Sequence, residues 1–185
     1  ADQTITVSSS NQTITTGTGN DTIKIGSNVG NTTVNGSSGA DTVSFDRSEA
    51  SNKYSIARNE SGDTLTLTDG AGQVTTISSS VETIKFNNGS EAVAYTALLK
   101  QATYRGDISG SNQTITLSDN TTFADAVNIK GEGNTINAGD GADRVVVLAN
   151  NNVINGGDGK DNIQIDKNIT GTVIDGGNGD DTIVV

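Results

Sequence analysis

The chain has 185 residues and a formal net charge of −11, with 17 Asp against 5 Glu, 3 Phe, 3 Tyr, and no Cys, His, Met, Trp or Pro. Without cysteine there are neither disulfides nor thiolate metal sites. The 11 basic residues are scattered and offer no nucleic-acid surface, and no apolar run is long enough to insert into a membrane. So few large side chains allow only a thin core, as in a solenoid whose coils each bury a strip of Ile and Val, and the regular spacing of those apolar pairs argues against disorder.

Thr4 to Val7 reads as a strand. Two loops of one template follow, 16–25 (TGTGNDTIKI) and 36–45 (GSSGADTVSF). In each, glycines permit a tight turn, an aspartate closes it, and an alternating apolar pair, Ile23 with Ile25 or Val43 with Phe45, points to one face of a strand. Thr16 stands where the first loop would have its first glycine, and Ser37 where the second would have its second. Asp21 and Asp41 are 20 residues apart, one coil of a two-stranded roll. The intervening stretch, 26–34, lacks the aspartate and is expected to be an ordinary turn.

From 46 to 103 the pattern changes. Residues 53–58, 63–68 and 73–78 alternate like strands, separated by turn chemistry at 59–62 and at Asp69-Gly70. A Val-Glu-Thr-Ile-Lys-Phe strand follows at 81–86, and 91–104, with Val93, Tyr95, Leu98 and Leu99, has a helical rhythm.

The pattern then restarts. The hexapeptide SNQTIT at 10–15 returns at 111–116, so the chain holds one module of about 100 residues and most of a second. The loop at 117–124, before 125–129 (DAVNI), has lost its glycines and is not expected to hold a cation. Residues 138–147 (AGDGADRVVV), 156–165 (GGDGKDNIQI) and 176–185 (GGNGDDTIVV) resume the template, with aspartates at 143, 161 and 181 spaced by 18 and 20.

Stacking such coils brings the loop aspartates into a column. Two carboxylates roughly 5 Å apart repel by about 3 kcal/mol at an effective dielectric of about 20. A hard divalent cation removes that cost and accepts carboxylate and carbonyl oxygens together. The expected Ca2+ ligands are drawn from five loops: Gly17, Thr18, Gly19 and Asp21; Gly36, Ser38, Gly39 and Asp41; Gly139, Asp140, Gly141 and Asp143; Gly157, Asp158, Gly159 and Asp161; and Gly177, Asn178, Gly179 and Asp181.

The G-G-x-G-x-D-x-U-x nonapeptide (U, bulky apolar) is complete at Gly156 to Gln164 and Gly176 to Val184. In these residues the chain resembles the repeats-in-toxin (RTX, haemolysin-type) calcium-binding family, whose repeat builds a parallel β-roll. The resemblance implies an all-β, right-handed parallel β-roll or β-helix solenoid in two blocks. Residues 1–46 would form the first calcium-binding block, 47–104 a β-rich capping segment with a short linking helix, and 105–185 the second block. The family commonly follows its repeats with a V-E-x-(I/L)-x-F strand that closes the roll, matched here by Val81 to Phe86.

The function this implies is a calcium-stabilised structural repeat of a bacterial extracellular assembly: a surface layer, filament or adhesin stalk. The alternative is the calcium-dependent secretion and folding tail of a type I-secreted enzyme or toxin. No secretion signal is visible at Ala1, so a mature or internal piece of a longer chain is expected. The partner expected is a second copy or a further coil, stacked end to end on the strand at Thr182 to Val185, with no nucleic acid and no membrane insertion. Catalysis finds no support, since neither His nor Cys is present and the carboxylates recur with the coil.

Three other motifs carry bland readings. Arg105-Gly106-Asp107 spells an adhesion tripeptide but falls where a linker is expected. Nine Asn-x-Ser/Thr sequons, among them Asn11, Asn31, Asn112 and Asn168, follow from an Asn- and Thr-rich composition. Thr64, Thr66 and Thr68 have the spacing of an ice-binding face, but such threonines do not recur at one place in every coil of the sequence.

Overall fold

The computed structural model describes residues 1–117 and 124–185, in two compact units, 1–99 and 100–185. The first unit contains strands β1 (Thr4–Val7), β2 (Thr13–Thr15), β3 (Thr22–Ile25), β4 (Thr32–Asn35), β5 (Thr42–Phe45), β6 (Ser55–Arg58), β7 (Thr64–Thr68), β8 (Val74–Ser78), β9 (Thr83–Phe86) and β10 (Glu91–Ala94), then helix α1 (Tyr95–Leu99). The second contains β11 (Arg105–Ile108), β12 (Thr114–Thr116), β13 (Ala126–Ile129), β14 (Thr135–Gly141), β15 (Arg144–Val147), β16 (Val153–Gly159), β17 (Asn162–Ile165), β18 (Val173–Asn178) and β19 (Thr182–Val184).

Both units are parallel β-solenoids. In the second, odd-numbered strands build one sheet, β11-β13-β15-β17-β19, and even-numbered strands the other, β12-β14-β16-β18, so each coil gives one strand to each sheet. Pairing is parallel and in register, which stacks like residues: Val127, Val145, Ile163 and Ile183 are successive partners on one sheet, and Ile136, Ile154 and Ile174 on the other. Alternation turns these rows inward, where Val127, Val145, Ile163, Ile136 and Ile154 are fully buried. Each coil adds only a few side chains to this core, as the composition requires.

In the first unit β1-β3-β5 and β2-β4 begin the same way. The chain then leaves the coil path after Phe45. Strand β8 takes the next return place, parallel to β4, and β7 and β6 extend that sheet antiparallel. Strand β9 continues the other sheet parallel to β5, and β10 closes it antiparallel. Antiparallel strands on both edges end the parallel stacking, which blunts further pairing. Beneath them Phe45 and Phe86 stack with ring centroids 5.6 Å apart, and Tyr54 packs on both at 5.3 and 4.9 Å. The Arg47 guanidinium lies over Phe45 and pairs with Asp69 at 2.8 Å, both side chains buried.

One expectation needs correction. The helix is shorter than the rhythm of 91–104 suggests, because the Asn87-Asn88-Gly89 turn, all at positive φ, folds Glu91–Ala94 back as β10 against β9. Outward threonines align in one rank on each sheet of the first unit: Thr13, Thr33, Thr76 and Thr66 are successive partners across β2, β4, β8 and β7, and Thr4, Thr22, Thr42 and Thr83 across β1, β3, β5 and β9. Each stays one rank wide and neither runs through the second unit: Thr64 faces Ser78 and Thr68 faces Val74 beside the first, Lys24 stands between Thr6 and Ser44 beside the second, and Thr135 faces Val153 in the second unit.

Arg105, Gly106 and Asp107 are part of strand β11. The Asp107 carboxylate accepts bonds from Lys130 at 2.5 Å and Asn128 at 2.9 Å, so its charge is engaged within the sheet.

Candidate metal centre

The glycine loops form one corner of each coil. In the second unit they stack in parallel register, Gly139 on Gly157 on Gly177, with Gly141 on Gly159. Glycine is required by contact as well as by φ. Gly157 sits at φ +106° and Gly159 at +150°, and a Cβ on either would stand 2.0 or 1.6 Å from the carbonyl oxygen of Gly139 or Gly141 in the neighbouring coil. In the first unit Ser37 occupies the second loop position at φ +67°, and Thr18 and Ser38 bridge in parallel.

The aspartate that ends each loop precedes a strand and turns inward. Asp21, Asp41, Asp143 and Asp161 are no more than 1% exposed. Their Oδ1 atoms form a ladder along the solenoid, each accepting a backbone N–H from the preceding coil. Asp21 accepts from Gln3 at 2.7 Å and Asp41 from Asp21 at 2.8 Å. Asp143 accepts from Asp125 at 2.7 Å, Asp161 from Asp143 at 2.8 Å, and Asp181 from Asp161 at 3.0 Å.

The other carboxylate oxygen has no such bond. Oδ2 of Asp21, Asp41, Asp143 and Asp161 is buried without a hydrogen-bond partner. Burial, with the nearby charges of Asp125, Asp161 and Asp140 adding to it, pushes the Asp143 carboxyl up to about 7 against the bond it accepts. Asp161 is raised too, chiefly by burial and then by Asp181.

The opposite corner supplies an internal control. There the residue before the strand is Asn134 or Asn152, both fully buried, and the same ladder runs through them: Gln113 N–H donates to Asn134 Oδ1 at 2.9 Å, and Asn134 N–H to Asn152 Oδ1 at 2.8 Å. The amide nitrogens are also satisfied, Asn134 donating to the Gly110 and Gly131 carbonyls and Asn152 to that of Ala149. The two corners thus share one backbone device and differ in the second side-chain atom. Where asparagine puts a satisfied donor, aspartate puts an anionic oxygen facing no donor. An ionised carboxylate left in that state costs several kcal/mol, so the site calls for a proton or a cation.

At two of these corners a backbone carbonyl lies near the orphaned carboxylate oxygen. Asp161 Oδ2 and the Gly176 carbonyl lie 2.6 and 2.2 Å from the point a Cβ on Gly156 would occupy. Asp41 Oδ2 and the Ser80 carbonyl lie 2.4 and 2.7 Å from the corresponding point on Gly36. Among the described residues no three carboxylates converge, so a bound ion would draw its shell largely from carbonyls and water. A hard oxygen-seeking cation of flexible coordination suits that donor set.

The remaining expected ligands lie farther out on the loop. Asp140, Asp158 and Asn178 stack in register, with Asn178 Nδ2 donating to Asp158 Oδ1 at 2.7 Å, and Asp158 and Asn178 are exposed. They form an outer column, separate from the buried ladder.

Sequence reasoning passed over several residues. Asp125 is buried on the same ladder, accepting from Tyr104 N–H; its offset of 18 from Asp143 could have found it. The loop leading to it, 117–124, lies for the most part outside the described residues, and the expectation for it goes with them. The return corners, read as turns without chemistry, carry the Asn ladder, each rung preceded by a left-handed residue: Asn112, Gly133 and Asn151. Asn tolerates that conformation, which gives the sequons at Asn11, Asn31 and Asn112 a backbone reason.

These corners define the class of the protein, a parallel β-solenoid with buried aspartates along one corner of each unit and, in the second unit, an asparagine ladder along the opposite corner. No family model matches the chain, and no curated protein matches it. Among solved structures it is similar to the extracellular lipase LipA from Serratia marcescens, with 17% identity and a TM-score of 0.31 over 84% of this chain. The match spans 32% of the lipase, and a likeness that distant carries no argument about activity. Among the described residues no helix is long and apolar enough to cross a membrane.

Proposed function

We propose that the chain is a structural solenoid whose glycine loops bind Ca2+, and that it serves as a repeat of an extracellular surface assembly such as a surface layer, filament or adhesin stalk. The carrying observation is the contrast between the two corners: asparagine is satisfied at its ladder position, while the aspartate Oδ2 is buried with no donor. Asp21, Asp41, Asp143, Asp161 and Asp181 would supply the carboxylates, and loop carbonyls and water the rest. The bound cation neutralises the column and ties neighbouring coils together, and the thin core depends on that tie to offset chain entropy. Millimolar extracellular calcium would keep such loops filled.

The assembly half of the proposal rests on the in-register parallel pairing of β15, β17 and β19 and of β14, β16 and β18, which a further coil extends without change of register. A further coil or a second copy would continue both the sheets and the Asp181 rung, a head-to-tail contact that propagates rather than closes. Circular dichroism in calcium and in chelator tests the first half, with β signal lost on chelation. Light scattering and electron microscopy test the second, with calcium-dependent growth in particle length. Chains that stay monomeric in millimolar calcium, within a parent polypeptide that is one enzyme carrying a single such block, would favour the tail of a secreted enzyme instead.

A further inference from the structure

The capping segment of the first unit repeats the ladder geometry without repeating the loop sequence. In the second unit the rung after Asp161 is made by two groups of the following coil: the Gly176 carbonyl beside Asp161 Oδ2, and Asp181 Oδ1 accepting the Asp161 N–H. In the first unit the coil after Asp41 belongs to the cap. There the Ser80 carbonyl stands beside Asp41 Oδ2, and Glu82 Oε2 accepts the Asp41 N–H at 2.6 Å. Ser80 occupies the place of the first loop glycine and Glu82 that of the closing aspartate. The Ser80 hydroxyl also fixes the loop facing it, accepting the N–H of Gly36 at 3.0 Å and of Ser37 at 3.2 Å and donating to Asn35 Oδ1 at 3.0 Å.

We propose that Ser78 to Glu82 is a pseudo-loop that completes a divalent-cation site with Asp41, so that the cap is fastened to the solenoid by an ion. Asp41 is fully buried and its Oδ2 has no hydrogen-bond partner, and the Ser80 carbonyl lies near the same point inside the Gly36 turn. Glu82 is exposed and adds negative charge from outside while holding the Asp41 backbone. Longer than aspartate, glutamate bridges the distance from a cap strand that follows no glycine turn. The cap then ends the stacking by antiparallel pairing and still closes the last rung. This inference rests on the cation reading of the loops given above.

The test uses the whole 185-residue chain, isotope-labelled and calcium-saturated, with a small fraction of the calcium exchanged for Mn2+. Broadening of backbone amide signals then maps each ion to its neighbours. The proposal requires broadening at Ser80, Val81 and Glu82 along with Asp41. It requires also that Glu82→Gln, which keeps an acceptor for the Asp41 N–H, weaken one class of site by about 10- to 100-fold while broadening at Gly156 to Asp161 persists. Broadening at 156–161 and 176–181 with 80–82 untouched would overturn the pseudo-loop and leave the loop reading standing. Broadening nowhere would overturn both.

Discussion

Replacing Asp143 by asparagine separates the two jobs the structure gives it. Its Oδ1 accepts the Asp125 N–H, which an amide oxygen does equally well, and its buried Oδ2 faces no donor. The folded carboxyl titrates near 7 instead of 3.8. A raised folded pKa means that the native state holds a proton the unfolded chain has released. The contribution is therefore neutral below pH 4 and becomes a penalty as pH rises to 7. Three pKa units correspond to about 4 kcal/mol at full ionisation. In chelator at pH 7.5, where the parent loses its β signal, Asp143→Asn should thus hold a larger folded fraction, a shift of about 2–4 kcal/mol in the folding equilibrium. At pH 4.5 the gap should mostly close. In millimolar calcium the order should reverse, because the variant has lost a ligand. In chelator at both pH values, circular dichroism with a stabilising osmolyte titrated in until the fold returns gives the comparison, and in calcium thermal melts give it. A variant less stable than the parent in chelator, or an order that calcium does not change, would refute the reasoning.

Gly159→Ala should cost about 3 kcal/mol or more in calcium, since its Cβ would meet the Gly141 carbonyl at 1.6 Å, whereas Gly72→Ala, at φ +78° with open space, should cost about 1 kcal/mol; denaturant titrations compare them. Asn152→Ala leaves the Asn134 N–H and the Ala149 carbonyl without their partner and should destabilise by about 2–3 kcal/mol at every saturating calcium concentration, because that corner needs no ion. Phe86→Ala should cost about 3–5 kcal/mol by emptying the aromatic cluster under the cap, and hydrogen exchange should show the loss concentrated in residues 45–86.

The coil geometry was legible because its signal is local and repeats: glycines at fixed offsets, an aspartate, then an apolar pair, as at Gly156 to Ile165. The cap strands at 55–58, 64–68 and 74–78 were legible from alternation. The order in which they join the sheets was not, because pairing β8 with β4 across some forty residues leaves no mark in either strand's own sequence. The helix was overextended because Val93, Tyr95 and Leu98 satisfy a helical period, while the Asn87 to Gly89 turn that imposes strand pairing carries its information in φ. The aspartates were found as a column of charge. Their division into a bonded Oδ1 and an orphaned Oδ2, and the part Glu82 takes in the same ladder, are properties of neighbouring coils together and appear only in three dimensions.

The measurement that bears most directly on the cation ladder is a calcium titration of the chelated, full-length chain at pH 7.5 by calorimetry, with circular dichroism read in parallel. The account predicts uptake of roughly three to five ions, counting one for each gap between adjacent aspartate loops and further ions at the ends, with β signal appearing as they bind. No heat and an unchanged spectrum up to millimolar calcium would contradict it.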